Sequence, residues 1–301
     1  MRNYILGSVL LSLAGSIWGG MFIAVRLSVL VIPPIPLVWM RYGTAVIGLI
    51  FLMIYGHHSL YIEPKDRKTL VLAALIGQVA SIVTQETGTM LTSAQTGSVI
   101  TAATPAFMVV FGCWLLHEKL TAGRILSVIL ATIGVLFIVF DPDNIQLNVW
   151  GGLSLFVAAV TWALMSVLVK FLAKYSVVTV TFYSVLLGFL VLTPYGLYWL
   201  LTSADYTAMA ETPVWGSVLY LGLISTVCGF CAWNKGLTDM DASIGGLFMF
   251  FQPVVGTWLG WLLLAEPVTA YFWIGFALIA VGVVLALRGG NTTAAEKLQR
   301  S

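Results

Sequence analysis

Polar and apolar residues along this chain fall in long blocks. Charge-free runs occupy residues 3–25, 69–85, 87–116, 144–169, 175–204, 212–234, 242–265 and 267–287. About 20 apolar residues, each rising ~1.5 Å, span the core of a bilayer. Most of these runs therefore suffice for one crossing, and 87–116 holds the end of one crossing and the whole of the next. Turn-forming and polar clusters punctuate them: IPPIP at 32–36, YIEPKDRK at 61–68, TSAQTG at 92–97, DPDN at 141–144 and the segment from Asp205 to Pro213. Cutting there predicts ten helices, at 4–25, 36–55, 69–91, 95–116, 122–140, 149–173, 177–200, 213–236, 242–264 and 270–288. The run behind Arg2 continues to Val25, longer than the apolar core of a signal peptide, so it is predicted to be a retained first span.

The block pattern also repeats. At an offset of 148 residues, Pro105 falls on Pro253, Glu118 on Glu266, Thr121 on Thr269 and Gly134 on Gly282. The two copies read TPAFMVVFGCWLLHEKLT and QPVVGTWLGWLLLAEPVT. Further back, Leu75 meets Leu223 and Gly88 meets Gly236. At an offset of 144, SIWGGMFIAVR meets VTWALMSVLVK, which sets Trp18 on Trp162 and Arg26 on Lys170. The expected organisation is a first repeat at 1–142 with helices 1–5, a second at 143–290 with helices 6–10, and a cytoplasmic tail at 291–301. Duplicated membrane units with a site between them are characteristic of secondary transporters.

Composition and charge sharpen this picture. Hydrophobic residues make up 60% of the chain and charged residues 9%, against roughly 45–50% and 25% in soluble proteins. With the N-terminus in the cytoplasm, twelve of the 14 Lys and Arg fall on the cytoplasmic side, and only Arg26 and Arg41 fall outside. That bias follows the positive-inside rule and predicts that both termini lie in the cytoplasm. Five helices per repeat is an odd number, so the second repeat enters the membrane inverted. The cationic loop HEKLTAGR then lies inside and its uncharged twin AEPVTAYF outside. No basic patch points to nucleic acid.

The layout resembles the EamA family of the drug/metabolite transporter superfamily. The residues that carry the resemblance are Trp18 with Gly19 in helix 1, Arg41 with Tyr42 opening helix 2, and Pro105 or Pro253 thirteen residues before Glu118 or Glu266. Gly134 and Gly282 in the fifth helix of each half fit as well. The resemblance covers roughly residues 4–288. It implies an exporter of amino acids or other small metabolites, in which helices 1–4 and 6–9 surround a central cavity and helices 5 and 10 are peripheral.

Several residues carry candidate chemistry. Glu86 is the one carboxylate well inside a predicted span, about one turn from the outer end of helix 3. A carboxylate at membrane depth is costly and marks a functional position, here a candidate proton or substrate site, unless it pairs with Arg26 or Arg41. Its repeat partner Asn234 cannot titrate. Gln78, Ser81 and Gln85 follow helical spacing and are expected to share an inward face, opposite Thr226, Gly229 and Trp233 in the twin helix. Gln85 and Trp233 are the favoured cavity residues among them. Pro105 and Pro253 are candidate hinges, since a mid-helix proline removes a backbone hydrogen bond. Thr101, Thr104, Met249 and Gln252 lie beside them. Trp18 and Trp162 fall mid-span, away from the interfacial belt, and offer a stacking platform or simply bulk. Arg26 and Arg41 are expected at the outer mouth, attracting carboxylates or snorkelling to headgroups.

Other features read as structure. Glu118 and Glu266 end helices and are expected to shape hairpins. Cys228 and Cys231 spell C-x-x-C inside an apolar helix with no zinc partner pair nearby. Gly15/Gly19 and Gly256/Gly260 suit close helix packing. Asn291 spells a glycosylation site on the tail. A membrane enzyme would want His, Cys or paired acids at depth, but the three His fall in loops and no two acids share a span. No Walker motif, metal site or cofactor site is apparent. The reading is a secondary exporter of a small metabolite, zwitterionic or aromatic by preference, with proton-coupled antiport and passive facilitation both open.

Overall fold

In the computed structural model, residues 2–118, 121–139, 148–238 and 240–264 are described, with isolated turns between 270 and 285. Among the described residues the protein is all helix, and eight helices are long and apolar enough to cross a membrane. These are α1 (Arg2–Ser28), α2 (Pro34–Tyr55), α3 (Pro64–Leu91), α4 (Ala94–Leu116), α6 (Val149–Lys170), α7 (Val177–Thr202), α8 (Thr212–Thr238) and α9 (Ala242–Leu263); α5 (Ala122–Val139) follows α4. The described residues of the expected tenth helix at 270–288 are helical, and the rest of it falls outside the described residues. So do Glu266, Thr269, the DPDN turn and the tail at 291–301.

The start of α3 differs from expectation. The YIEPKDRK segment is half helix, because Pro64 opens the first turn, where its missing N–H is no loss. Both α3 and α8 then widen into a π-helical turn at equivalent places, Leu75–Ser81 and Tyr220–Cys228. Both α4 and α9 are interrupted one turn before their proline. In α4, Ala102 and Ala103 form a turn and the helix restarts at Thr104. In α9, Leu247–Phe250 is 3-10 and the α-helix resumes at Phe251. Pro105 cannot donate to the Thr101 carbonyl, and the Thr104 hydroxyl donates to that carbonyl instead, at 2.6 Å.

Packing crosses between the halves. α1 lies against α8 and α9, α6 against α3 and α4, and α2 against α7. Small residues allow the closest approaches. A Cβ on Gly19 would stand 2.8 Å from the Gln252 carbonyl oxygen on α9, and one on Gly88 would stand 2.8 Å from the Gly151 carbonyl oxygen on α6. Outside these seams the surface is apolar: Ile47, Phe51 and Ile54 on α2 and Tyr198 and Leu201 on α7 are exposed. The arrangement leaves polar side chains in the middle of the bundle.

Candidate functional site

At the centre, Arg41 of α2 is fully buried, with 0% of its surface exposed. It sits on the eighth residue of a helix that begins at Pro34, two turns deep, and not at an outer mouth. Burial of a guanidinium demands partners, and both halves supply them. Nε donates to Thr226 Oγ1 at 2.6 Å and Nη2 to Ser225 Oγ at 3.2 Å, both on α8. Nη1 donates to Glu86 Oε1 on α3 at 3.1 Å and to Met21 Sδ on α1 at 3.4 Å. The Phe230 ring lies 5.7 Å from the guanidinium carbon, in cation–π range. The π turn of α8 helps to aim this set: Thr226 Oγ1 donates to the carbonyl of Leu221, five residues back.

Beside Arg41, Trp18, Trp162, Phe230 and Trp233 form one aromatic cluster. Trp18 meets Trp162 edge-on at 5.1 Å and 86°, and Trp233 at 5.3 Å. Trp162 meets Phe230 at 5.2 Å. Trp18 Nε1 donates to the Ser225 carbonyl at 3.0 Å, which fixes the ring against α8.

A cavity opens between these groups. Its walls include Arg41, Trp18, Trp162, Gln85, Thr101 and Gln252, with Met21, Phe230 and Met249 adding apolar surface. The cavity is narrow, with room for about one water. Three polar atoms in or beside it are buried without a hydrogen-bond partner: Trp162 Nε1, Gln252 Oε1 and Glu86 Oε2. Orphaned buried polar atoms are rare and call for an explanation. Here they provide a free donor and two free acceptors around one cation.

The sequence-predicted residues divide between this cavity and its supports. Trp18, Gln85, Thr101, Thr104, Trp162 and Gln252 line it. Gln252 Nε2 reaches Thr101 Oγ1 at 3.5 Å, a contact between the two interrupted helices. Glu86 stands behind Arg41. Trp233 backs Trp18, with its Nε1 donating to Ser166 at 3.1 Å. Asn234 donates to Thr181 at 3.1 Å. Gln78 points elsewhere, its amide oxygen accepting from the Tyr42 hydroxyl at 3.0 Å. Its expected shared face with Ser81 and Gln85 is lost because the π turn adds a residue between them and rotates the helix. Ser81 instead donates to the Ala158 carbonyl at 2.9 Å.

The ends of the bundle are tied by charge. Arg26, at the end of α1, donates to the Met90 carbonyl at the end of α3, at 3.1 Å. Its repeat partner Lys170, at the end of α6, donates to the Leu237 carbonyl at 2.9 Å and to that of Met240. Cations at helix C-termini satisfy orphan carbonyls and complement the dipole. Glu118 accepts from the backbone N–H groups of Ala242 at 2.7 Å and Ser243 at 3.1 Å and from the Ser243 hydroxyl. It thereby caps the first turn of α9 in the other half of the chain. This reaches beyond the local hairpin role that its place at the end of a helix predicts.

With this geometry in view, comparison with known proteins decides the family. The profile of the EamA-like transporter family matches residues 5–140 and matches again over 149–288. The chain belongs to the EamA-like transporter family. It is similar to an uncharacterized transporter of Archaeoglobus fulgidus, 27% identical over 93% of this chain and 98% of that one. It is also similar to the uncharacterized transporter YoaV of Bacillus subtilis, 25% identical over 89% and 92% of the two chains. A shorter relative, the putative permease-like protein YdzE of Bacillus subtilis, is 56% identical over 23% of this chain and 90% of its own length. A solved crystal structure shares the fold at a TM-score of 0.77 and 16% identity, over 95% of this chain and 98% of that one. As an EamA-like transporter the chain is a multi-pass membrane protein. Its buried cation, aromatic walls and unpartnered polar atoms suit holding a small polar molecule.

Proposed function

We propose that this EamA-like protein is a secondary transporter of the cell (inner or plasma) membrane that exports amino acids or related small metabolites by alternating access. Ten transmembrane helices form two inverted five-helix repeats, 1–142 and 143–290, with both termini and the 291–301 tail in the cytoplasm. The exchanged packing supports this: α1 sits on α8 and α9 as α6 sits on α3 and α4. The single observation that carries the reading is the central cavity, walled by residues of both repeats, with partnerless polar atoms at its edge. A zwitterion suits it, with a carboxylate toward Arg41 and an ammonium toward Gln252 Oε1. The space holds about one water as it stands, so entry requires the walls to part. The interruptions before Pro105 and Pro253 are the hinges on which they do so.

A second reading is passive facilitation. Glu86 is the candidate proton carrier, yet it is held in an ion pair, and its twin Asn234 cannot carry a proton. Proteoliposomes loaded with mixed amino acids, with and without a pH gradient, separate the readings. Gradient-driven release that Glu86→Gln abolishes establishes coupling. Release indifferent to both establishes a facilitator. If no amino acid leaves under any condition, the substrate class is wrong.

A further inference from the structure

We infer that Glu86 is a resident stand-in for a ligand's carboxylate: it occupies Arg41 in the empty carrier and yields it to an incoming carboxylate by taking up one proton. This rests on the transport reading of the central cavity and adds the rule by which ligand and proton share it.

Four observations lead there. Arg41 faces the cavity and Glu86 does not, so the guanidinium stands between the ligand space and the carboxylate. The pair is joined through one oxygen only, at 3.1 Å, and Oε2 is buried without a partner. Guanidinium and carboxylate are strongest when bidentate, so Glu86 is an incomplete partner that a better-placed carboxylate can replace. Thr226, Ser225 and Met21 hold the guanidinium independently of Glu86. Arg41 therefore stays in place during the exchange.

The proton follows from charge. In the empty site Arg41 and Glu86 sum to zero. A ligand that brings a carboxylate and no ammonium would leave one net negative charge in a water-poor interior, which is strongly disfavoured; a zwitterion carries its own compensating charge and calls for no proton. The balanced step breaks the Arg41 Nη1–H···Oε1 bond and forms a guanidinium–ligand bond. Glu86 binds a proton from water as a neutral acid, and the site again sums to zero. Among the described residues, no other charged side chain is in contact with the pair. α2 presents Arg41 and Tyr42 to Glu86, and α8 presents Ser225, Thr226 and, toward Arg41, Tyr220. Among the described side chains, the charged ones near the ends of α1, α4 and α6, which also pack against this stretch of α3, are Arg26, Glu118 and Lys170. Each is engaged with the backbone contacts given above. Asn234 cannot repeat the exchange in the second half, so one carboxylate binds per chain.

The consequence has a sign. Carboxylate and proton bind together, so affinity rises as pH falls, by about tenfold per pH unit wherever Glu86 is ionised in the empty protein. Calorimetry on the purified full chain tests this, with phenylacetate and the uncharged phenylacetamide as probes. Titrations in buffers of different ionisation enthalpy, between about pH 6 and 8, keep the free probe ionised. The expected result is uptake that approaches one proton per phenylacetate bound at the upper end of this range, none per phenylacetamide, and binding of phenylacetate to Glu86→Gln that neither takes up protons nor changes with pH. Wild-type binding without proton uptake overturns the inference, and that measurement needs no variant to fold. Unchanged uptake in Glu86→Gln overturns it too, as does failure of phenylacetate to bind. Amino-acid release from proteoliposomes beside pH-independent phenylacetate binding would sink the exchange and leave the transport reading standing. Proton-linked binding with no release would do the reverse.

Discussion

Helices α3 and α8 occupy equivalent places in the two repeats and share an unusual backbone, yet they bring opposite chemistry to the centre. Each carries a π-helical turn, at Leu75–Ser81 and Tyr220–Cys228. Beyond it, α3 presents Gln85 and Glu86, whereas α8 presents Trp233 and Asn234 at the aligned positions. Arg41 lies between the two, with its charge partner on α3 and its neutral hydroxyl partners on α8. The difference teaches that duplication preserved the frame while the chemistry diverged. Helix α3 supplies the titratable group, and α8 supplies Phe230 and Trp233 of the aromatic cluster.

The strongest way to break this comparison is to remove each side of Arg41 in turn. Glu86→Leu leaves a buried cation without its counter-charge, a loss of about 3–5 kcal/mol. Thr226→Val removes one hydrogen bond to a charged group, about 1.5–3 kcal/mol. Denaturant unfolding in detergent should rank them in that order. Equal losses would mean that hydroxyls and not charge hold the centre together.

A smaller effect probes the shared frame. A Cβ on Gly222 of α8 would meet the Arg41 carbonyl oxygen at 2.8 Å and clash with Thr44, whereas one on Gly77 of α3 meets only the side chain of Met165. Neither site gives way easily, since the Arg41 carbonyl is backbone and the Met165 Cγ and Cβ that face Gly77 lie next to their own backbone. Gly222→Ala and Gly77→Ala should therefore each cost about 1–3 kcal/mol, read by the same unfolding assay.

The smallest effect lies at the start of α3. Lys174 contacts Glu63 at 2.7 Å and Asp66 at 2.8 Å, and Lys65 contacts Glu63 at 2.9 Å. The hydrogen bond from Lys174, and then that from Lys65, hold the Glu63 carboxyl below the usual carboxylate range. A depressed folded value stabilises above the unfolded value, and that contribution fades as pH falls through the folded one. Lys174→Gln should thus melt slightly below wild type at neutral pH, and the gap should close below about pH 4. Added salt should narrow it as well, because these groups are exposed.

Much of the frame was legible because membrane helices announce themselves as apolar blocks, and prolines mark where a ladder must break. Pro105 and Pro253 lie just beyond such breaks. Arg41 was misplaced for a physical reason. Its hydroxyl partner Thr226 is 185 residues away, so nothing beside it in sequence indicates satisfaction at depth. Two signals were available: its distance into helix 2, since a cation that far from the helix start needs a partner, and Glu86, a carboxylate at depth able to pair with it. Gln78 was misjudged because no residue pattern marks the π turn that rotates it away. The capping by Glu118 was hidden because it is met mainly by backbone N–H groups, which every sequence has.

The reach of Arg41 across the chain has a consequence for synthesis. Glu86 follows it by 45 residues and Thr226 by 185. At ~5–20 residues per second, the ribosome supplies Glu86 within about 2–9 s of Arg41, and Thr226 only about 7–28 s after Glu86. For that interval the nascent first half must keep its guanidinium in the membrane with Glu86 as its charge partner. The residue that balances Arg41 in the finished protein is thus also what lets the half-made protein wait in the bilayer for the rest.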